Sequence, residues 1–286
     1  MERTLSQNES KVVLDLEWRG QRTVTLDEIK AALACSDNYA RYMAHRLVKK
    51  GWLERLLPGL YHLVPADRGR EGVADTNPLA AGAVLVSPSF FSFGTACTLH
   101  GLTEQVFAEI YLVTRTRMKP RRVRDKRYVF VPVPEDRFFG FSELTVLGAA
   151  VQMATIARAL ADAVDRPRYA GGIGEVSRIV TRASRRVSWD ALLDGLRQFG
   201  ESALVQRLGY LLELNRAEVP REALDVLRGL VRPGSKIPLG PRAKWGLHGP
   251  LSQRWNVIEN VPREVLLSGD ERPKRRVAFG SKTGAS

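Results

Sequence analysis

Two helix starts in the first 30 residues constrain the fold of this chain more than any other feature. Ser6 and Glu9 have the Ser-x-x-Glu spacing in which each side chain satisfies a free backbone N–H group of the other residue. Thr25 and Glu28 repeat that spacing. The sequence therefore predicts one helix with an apolar strip to about Trp18 and a second helix that begins near residue 26.

The stretch DNYARYMAHRLVKKGW, residues 37–52, predicts a third helix. Ser36 precedes it as an N-cap, and Gly51 is a typical stop after two lysines. Its apolar residues recur at the spacing i, i+3, i+4, i+7, i+8, which places them on one buried face. These residues are Ala40, Met43, Ala44, Leu47 and Val48.

Two short apolar runs follow in WLERLLPGLYHLV, residues 52–64. They flank Pro58-Gly59, a turn signal that predicts a β-hairpin. Three helices followed by a hairpin are typical of a winged helix-turn-helix. We therefore predict this fold for residues 1–66.

The outer face of the third helix is a candidate DNA-reading surface, because the equivalent helix of a winged helix-turn-helix enters the major groove. Arg41 suits a guanine and Asn38 an adenine. The candidates for phosphate contacts on and beside this helix are His45, Arg46, Lys49 and, more weakly, Arg55. Tyr42 is a further candidate that also suits packing at a domain edge. A surface for protein contacts and a solvated surface remain the alternatives for the whole face.

The net charge supports a polyanionic partner, since the chain carries +13 and has a pI of about 10.1. Residues 1–64 hold ten basic and eight acidic residues, a net charge of +2. Residues 65–286 carry the other +11. A DNA-binding role must therefore include the second part of the chain.

The segment RTRMKPRRVRDKR, residues 115–127, has eight basic residues and one acidic residue. We name it the basic segment. It is a candidate loop for contacting phosphates, with a solvated hairpin loop as the alternative. The candidate DNA-binding residues in it are Arg115, Arg117, Lys119, Arg121, Arg122 and Arg124.

The second part of the chain mixes strand and helix patterns. EIYLVTRTR and RYVFVPVP, residues 109–117 and 127–134, read as strands, and several amphipathic helices follow residue 155. The fold class we expect is α+β, a winged helix-turn-helix followed by a larger mixed α/β domain. The expected boundaries are a linker at 67–81, the second domain at 82–268 and a flexible basic tail at 269–286.

Several function classes find no support in the sequence. The N-terminus MERTLSQNES lacks an apolar signal-peptide core, and no run of about 18 apolar residues suits a membrane span. Two cysteines without CxxC spacing predict no disulfide framework. We expect a cytoplasmic protein without a membrane partner.

Catalytic chemistry is also unsupported. The four histidines lack metal-ligand spacing, and no phosphate-binding glycine motif is present. Ser87, Ser89 and Ser92 before His100 suit a capped helix better than a nucleophile, because no GxSxG elbow accompanies them. Arg158 and Asp162 have ion-pair spacing, and Arg207 and Glu213 suit structural or partner contacts. We assign no catalytic residue, no metal and no cofactor, and expect a protein that is not an enzyme.

Motifs along most of the chain resemble those of the AbiEi-type antitoxins of type IV toxin–antitoxin systems. They are GLYHLV, SPSFFSFGTACTLHGLTEQVFAEIYLVT, ATIARALADAVDRPRYAGGIGEV, LVQRLGYLLEL and RWNVIEN. Arg158, Asp162, Gly171 and Gly172 stand at the matching positions of the third motif. Ala157 departs from the pattern, since family members often carry Glu there.

The resemblance implies a non-catalytic antitoxin that is encoded beside a nucleotidyltransferase-like toxin. The winged helix of such proteins binds inverted repeats in the operon's own promoter and represses it. The C-terminal domain is needed to neutralise the toxin, and its basic faces assist DNA binding. We expect a monomer in solution that pairs on double-stranded DNA.

Two further hypotheses stay open at this point. In the first, the second domain is a protein-interaction module, either for a direct contact with an acidic toxin face or for a partner unrelated to a toxin. In the second, it is a cryptic enzyme.

Overall fold

The computed structural model describes residues 4–64, 77–147 and 149–268. The expected tail at 269–286 and residues 67–76 of the expected linker lie outside these ranges. Six elements make up the N-terminal region: α1 (Gln7–Trp18), β1 (Thr23–Thr25), α2 (Leu26–Leu33), α3 (Asp37–Lys49), β2 (Leu53–Leu57) and β3 (Leu60–Leu63).

The helix boundaries follow the capping residues. Ser6 and Glu9 form a reciprocal capping box at the start of α1, as do Thr25 and Glu28 at the start of α2. The Ser36 hydroxyl accepts a hydrogen bond from the backbone N–H of Tyr39 at the start of α3, at 3.4 Å. The three helices expected in this region are therefore present.

A three-stranded sheet completes the winged helix-turn-helix and confirms the expected fold. Its order is β1-β3-β2, with β3 antiparallel to both neighbours. The strand β1 was not predicted, because three residues are too few to show an alternating pattern. It is defined by its antiparallel pairing with β3, in which Val24 lies opposite Tyr61. The core of this region includes Val13, Ile29 and Leu47, each with no exposed side-chain area.

A larger region of strands and helices follows. Its first half contains α4 (Pro78–Ala83), β4 (Ser89–Phe91), α5 (Phe93–Leu99), β5 (Glu109–Thr114), β6 (Arg121–Val123), β7 (Lys126–Pro132), β8 (Phe141–Val146) and β9 (Ala149–Ala154). Its second half contains α6 (Ile156–Asp165), α7 (Ile173–Ser184), α8 (Trp189–Phe199), α9 (Ser202–Leu214), α10 (Arg221–Gly229), β10 (Ile237–Pro238), α11 (Arg242–Trp245), β11 (Leu251–Ser252), β12 (Val257–Ile258) and α12 (Arg263–Ser268). The expected mixed α/β character is confirmed.

Six of these strands form one mixed sheet in the order β6-β7-β5-β4-β9-β8. The pairs β5–β7 and β4–β9 are parallel, and the remaining pairs are antiparallel. The helix α6 packs against α5, α7, α8 and α9. A second small sheet has the order β10-β12-β11.

The helix α6 is buried and carries a buried arginine. The Arg158 side chain is 1% exposed and forms an ion pair with Asp162 at 2.9 Å. It also donates to the carbonyl oxygens of Arg137 and Phe139, at 2.7 and 2.9 Å. The rings of Phe90, Phe139 and Phe199 surround the guanidinium at 4.7–5.2 Å. These contacts compensate the charge, which explains how an arginine lies in an apolar core.

Two expectations differ from the structure. The basic segment is not a continuous loop, because Arg121–Val123 pairs with the start of β7 as an antiparallel hairpin. Residues 78–81, expected at the end of the linker, belong to α4, and its Leu79 and Ala81 pack into the core of the larger region.

Candidate nucleic-acid interface

The outward face of α3 presents a row of polar and cationic side chains. Asn38, Arg41, His45 and Lys49 are all exposed, and none makes a side-chain hydrogen bond or a salt bridge with a residue in the described ranges. The opposite face carries Ala40, Met43, Ala44 and Leu47, which are buried. The apolar stripe therefore fixes the orientation of α3 and turns the four polar side chains toward solvent.

Two other candidates on α3 are already engaged. The Nε of Arg46 lies 3.0 Å from Oε1 of Glu9, whose side chain is fully buried. The Arg46 guanidinium also lies 5.7 Å from the centre of the Tyr42 ring and donates to the Tyr42 hydroxyl at 3.3 Å. Arg46 thus joins α3 to α1, and Tyr42, which is 52% exposed, forms part of the outer surface.

Glu9 holds the end of α3 against α1. Burial raises the pKa of its carboxyl, but hydrogen bonds from the Lys50 ammonium and the Ser6 backbone N–H outweigh it, so the pKa lies below its ordinary value. Lys50 Nζ is 2.7 Å from Glu9 Oε2. Glu9 is therefore ionised at neutral pH and interacts with two cations: Arg46 of α3 and Lys50, the C-cap of that helix.

The N-terminal turn of α3 has its own contacts. Lys30 of α2 forms a salt bridge with Asp37 at 2.5 Å and thereby lowers the pKa of that carboxyl. The Tyr39 hydroxyl accepts a hydrogen bond from the Asn8 amide at 3.1 Å. The first contact joins α2 to α3 and the second joins α1 to α3, and neither involves the side chains of Asn38 and Arg41.

The wing is not a free loop, because its apolar residues pack against the larger region. Leu56 and Leu60 are 8% and 6% exposed, and both belong to the core that includes the six-stranded sheet. Arg124 reinforces this docking by donating from Nε to Oε1 of Glu54 at 2.9 Å and from Nη2 to Oε2 of the same carboxylate. Arg55, one residue later on β2, is exposed.

The basic segment divides into engaged and unengaged cations. Arg115 forms a salt bridge with Glu135, Arg124 with Glu54 and Arg127 with Glu109. Arg122 donates from Nε to the backbone oxygen of Arg124 at 3.3 Å. Arg117, Lys119 and Arg121 are exposed, and their side chains have no such partner among the described residues. The basic segment therefore presents three unengaged cations: Arg121 on β6, and Arg117 and Lys119 on the connection from β5 to β6.

His62 lies beneath the contact between the wing and the hairpin. It is 3% exposed and pairs in register with Glu54 across β2 and β3. Burial, together with the nearby charges of Arg124 and Arg22, lowers the pKa of His62 to about 4. The imidazole is therefore neutral at neutral pH and adds no positive charge to the surface.

The residues considered for catalysis serve structural contacts. The Ser92 hydroxyl donates to Asp162 at 2.6 Å, and Nε2 of His100 lies 2.7 Å from the backbone oxygen of Ala154. Glu213 accepts hydrogen bonds from Arg254 and the Trp255 indole, at 2.9 and 2.6 Å. Ser92 and His100 thus do not form a nucleophile–base pair.

Neither a metal cluster nor a membrane-spanning helix is found in the part of the chain that the structure describes. No group of three His, Cys, Asp or Glu side chains there is placed to hold a metal ion. Within residues 4–64, 77–147 and 149–268, every helix is too short or too polar to cross a bilayer.

The N-terminal region matches a known family. Residues 11–64 match the family described as "Transcriptional regulator, AbiEi antitoxin". This confirms the resemblance to the AbiEi-type antitoxins over these residues. The match supports an antitoxin and DNA-binding regulator as the general class of this protein.

A solved structure extends the similarity to most of the chain. The crystal structure of the RV2827C protein from Mycobacterium tuberculosis superposes with a TM-score of 0.62 at 14% sequence identity. The match covers 90% of this chain and 92% of that chain. At this identity the similarity shows a shared fold alone. No curated protein matches the sequence.

Sequence reasoning missed the residues that join the elements of the interface. Glu9 was identified as a capping residue, but its contacts with Arg46 and Lys50 span about 40 positions in sequence. Glu54 gave no signal as the partner of Arg124, 70 positions away. The sequence of the hairpin, which carries Arg55 and His62 besides Glu54, does not indicate which of its charges meets the basic segment.

Proposed function

We propose that this protein is an antitoxin and transcriptional repressor that binds inverted repeats in its own promoter. In this proposal, α3 reads base edges in the major groove and the second domain counteracts a nucleotidyltransferase-like toxin. The proposed division assigns residues 1–66 to the winged helix-turn-helix and the region from α4 to residue 268 to the antitoxin domain, with the linker ending before Pro78. The protein acts without catalysis.

The exposed row Asn38, Arg41, His45 and Lys49 is the observation that carries this proposal. Unengaged donors on a helix that is held by a buried apolar stripe suit contacts with base edges and phosphates. Asp37 lies one turn before Arg41 but pairs with Lys30, which leaves the guanidinium available. Arg46 contributes to the interface by joining α3 to α1 through Glu9, and its exposed part lies beside Tyr42.

The basic segment supplies a second set of phosphate contacts. Because the wing leucines are buried against the larger region, the wing offers Arg55 and few other donors. Arg121 lies on the β6–β7 hairpin, which is docked on that wing through Arg124 and Glu54, and Arg117 and Lys119 lie on the connection that leads into it. We assign the three unengaged cations to phosphates, with Arg115 and Arg122 as secondary contacts and Arg124 as the residue that positions the hairpin.

Binding to a fragment of the protein's own promoter tests the role of α3. We expect Arg41→Ala to weaken binding by about 1–3 kcal/mol and to relax the preference for the promoter over unrelated DNA. Arg221→Ala removes the same charge from an exposed site on α10 and serves as the control, with a much smaller effect expected. Equal effects of the two substitutions, or unchanged binding by Arg41→Ala, would contradict the assignment.

An apolar groove in the larger region supports the proposed antitoxin role of the second domain. An apolar groove of about 290 Å³ lies among α4, α5 and the tip of the β8–β9 hairpin. Val106 and Leu147 on its rim are 90% and 83% exposed. Large exposed apolar side chains of this kind suit a protein surface better than DNA, and we propose the toxin as the protein that contacts them.

Coexpression with the product of the neighbouring gene tests that contact. We expect the wild-type chain to rescue growth and Val106→Ser/Leu147→Ser to rescue it less, while promoter binding by the double variant stays unchanged. Arg41→Ala should show the reverse pattern. Full rescue by the double variant would exclude this groove as the toxin contact, and a failure of the wild type to rescue would favour a regulator unrelated to a toxin.

A further inference from the structure

The helix α1 has a second face that none of the residues in the described ranges covers. Its buried face carries Val12, Val13 and Leu16. Its outer face carries Gln7, Lys11, Leu14 and Trp18, at the spacing i, i+4, i+7, i+11, which places them on one strip. Leu14 is 58% exposed and Trp18 is 87% exposed. We name these four residues the α1 strip.

The strip lies apart from the proposed DNA-binding residues. Asn8, near the start of α1, contacts Tyr39 at the start of α3. Trp18 is ten residues further along α1, which corresponds to about 15 Å at a rise of 1.5 Å per residue. Its indole therefore does not contribute to the row on α3. The sequence predicted an apolar strip up to about Trp18, but the Trp18 side chain is exposed and is not part of the buried face.

We propose that the α1 strip is the contact between two copies of this chain. A two-fold axis through Leu14 pairs α1 antiparallel with the same helix of a second copy and packs Leu14 against its equivalent. Lys11 lies about 4.5 Å from the axis along the helix, and Trp18 lies about 6 Å from it on the other side. Each Lys11 ammonium thus faces the Trp18 ring of the other copy.

The strip is electrostatically complementary to itself. The face of an indole ring carries the negative part of its quadrupole, and it attracts a lysine ammonium. The two-fold axis repeats this contact, so one lysine and one tryptophan provide two cation–π pairs. A parallel arrangement would instead place Lys11 against Lys11. The sequence of the strip therefore favours the antiparallel pair of identical chains over other helix arrangements.

The small area of the strip predicts weak association. A single pair of helices buries less than the roughly 1,200 Å² that stable complexes need, so the free chain is mainly monomeric. Two copies on adjacent DNA sites experience an effective concentration in about the millimolar range, which favours the same contact. This part of the inference rests on the proposed promoter binding and deepens it by naming the contact between the two bound copies.

Disulfide cross-linking of the full chain tests the contact without DNA. A residue on a two-fold axis lies close to its own equivalent, so Leu14→Cys in a Cys35→Ser background should form a linked dimer under mild oxidation. Cys97 stays in place because it is fully buried. Leu267→Cys, in the same background, is the control at an exposed leucine of α12. No more dimer from Leu14→Cys than from Leu267→Cys would overturn the proposal.

Sedimentation equilibrium tests the cation–π pairing. We expect Lys11→Arg to retain association and Lys11→Gln to weaken the dimer by about 5- to 30-fold, because two cation–π contacts are lost together. Trp18→Ser should abolish it. Trp18 and Lys11 are exposed, so these variants retain the fold. Association that is equal in Lys11→Arg and Lys11→Gln, or retained by Trp18→Ser, would overturn the arrangement.

Promoter fragments with one and with two binding sites complete the test. Trp18→Ser should bind the single-site fragment like the wild type and lose the cooperativity on the two-site fragment. Retained cooperativity would overturn the inference. If the wild type binds neither fragment, the proposed promoter function fails, while cross-linking through Leu14→Cys still decides the contact between copies.

Discussion

The smallest determinant of the candidate interface is a single carboxylate. Glu9 begins as part of a capping box, yet it also pairs with Lys50 and lies 3.0 Å from Arg46. Arg46 is consequently a poorer phosphate ligand than its place on α3 suggested. The unengaged neighbours Arg41 and Lys49 carry the larger share of the proposed DNA contacts.

We predict that Glu9→Gln lowers the free energy of unfolding by about 1–3 kcal/mol at neutral pH, because charged hydrogen bonds to a buried group are lost. The lowered pKa of Glu9 means that its ionised form stabilises the fold at neutral pH. That contribution is lost as the pH falls below about 4.3, the ordinary value for glutamate, and through the folded-state pKa.

Urea unfolding at several pH values checks this prediction. The difference between wild type and Glu9→Gln should shrink as the medium becomes acidic. Glu143→Gln, at an exposed glutamate of β8, is the control and should behave like the wild type. A constant difference at all pH values would show that Glu9 acts only through its shape.

At the scale of elements, the wing is the part whose role differs most from the sequence expectation. The hairpin was expected to form a wing with Arg55 as a weaker candidate for a phosphate contact, and in the structure Leu56 and Leu60 of this wing pack into the core of the larger region. The basic hairpin formed by β6 and β7 then lies against β2 through Arg124 and Glu54. Two hairpins from distant parts of the chain thus form one contact.

We predict that Leu60→Ala lowers the free energy of unfolding by about 2–5 kcal/mol, as is usual for a leucine in a packed core. Leu147→Ala, at an exposed leucine, should change it by no more than about 0.5 kcal/mol. Urea unfolding followed by tryptophan fluorescence and circular dichroism measures both. A loss below about 1 kcal/mol for Leu60→Ala would indicate a wing that is free of the larger region.

At the scale of the whole molecule, the distribution of charge divides the proposed DNA contacts between two regions. The first 64 residues carry only +2 of the total +13. We therefore assign the preference for a particular DNA sequence to α3 and much of the salt-dependent affinity for DNA to the basic segment. If about 6–10 phosphates are contacted, affinity should fall by roughly 10³–10⁵ between 50 and 200 mM salt.

Two double variants of the basic segment distinguish the effect of phosphate contacts from the effect of net charge. We predict that Arg117→Ala/Arg121→Ala reduces the slope of log affinity against log salt by about 2 on any DNA sequence. Arg115→Ala/Arg127→Ala removes the same charge from arginines that pair with Glu135 and Glu109, and it should reduce the slope less. Equal slopes for the two variants would show that only the total charge matters.

Signals that act over a few residues are sufficient to predict most elements of the N-terminal region. Capping boxes, the apolar stripe of α3 and the Pro-Gly turn predicted the helices and hairpin of the winged helix-turn-helix, because hydrogen bonding at helix starts and side-chain periodicity act within a few residues. The strands near residues 109–117 and 127–134 and the Arg158–Asp162 ion pair were predicted for the same reason.

Only the tertiary structure decided which charges are available. Glu9, Glu54, Glu109 and Glu135 each select an arginine or lysine that lies far away in sequence or across a sheet. The same holds for β1, which needs β3 as a partner, and for Trp18, whose exposure depends on what packs against α1. Electrostatic pairing and burial depend on distances in space, and the folded chain sets those distances.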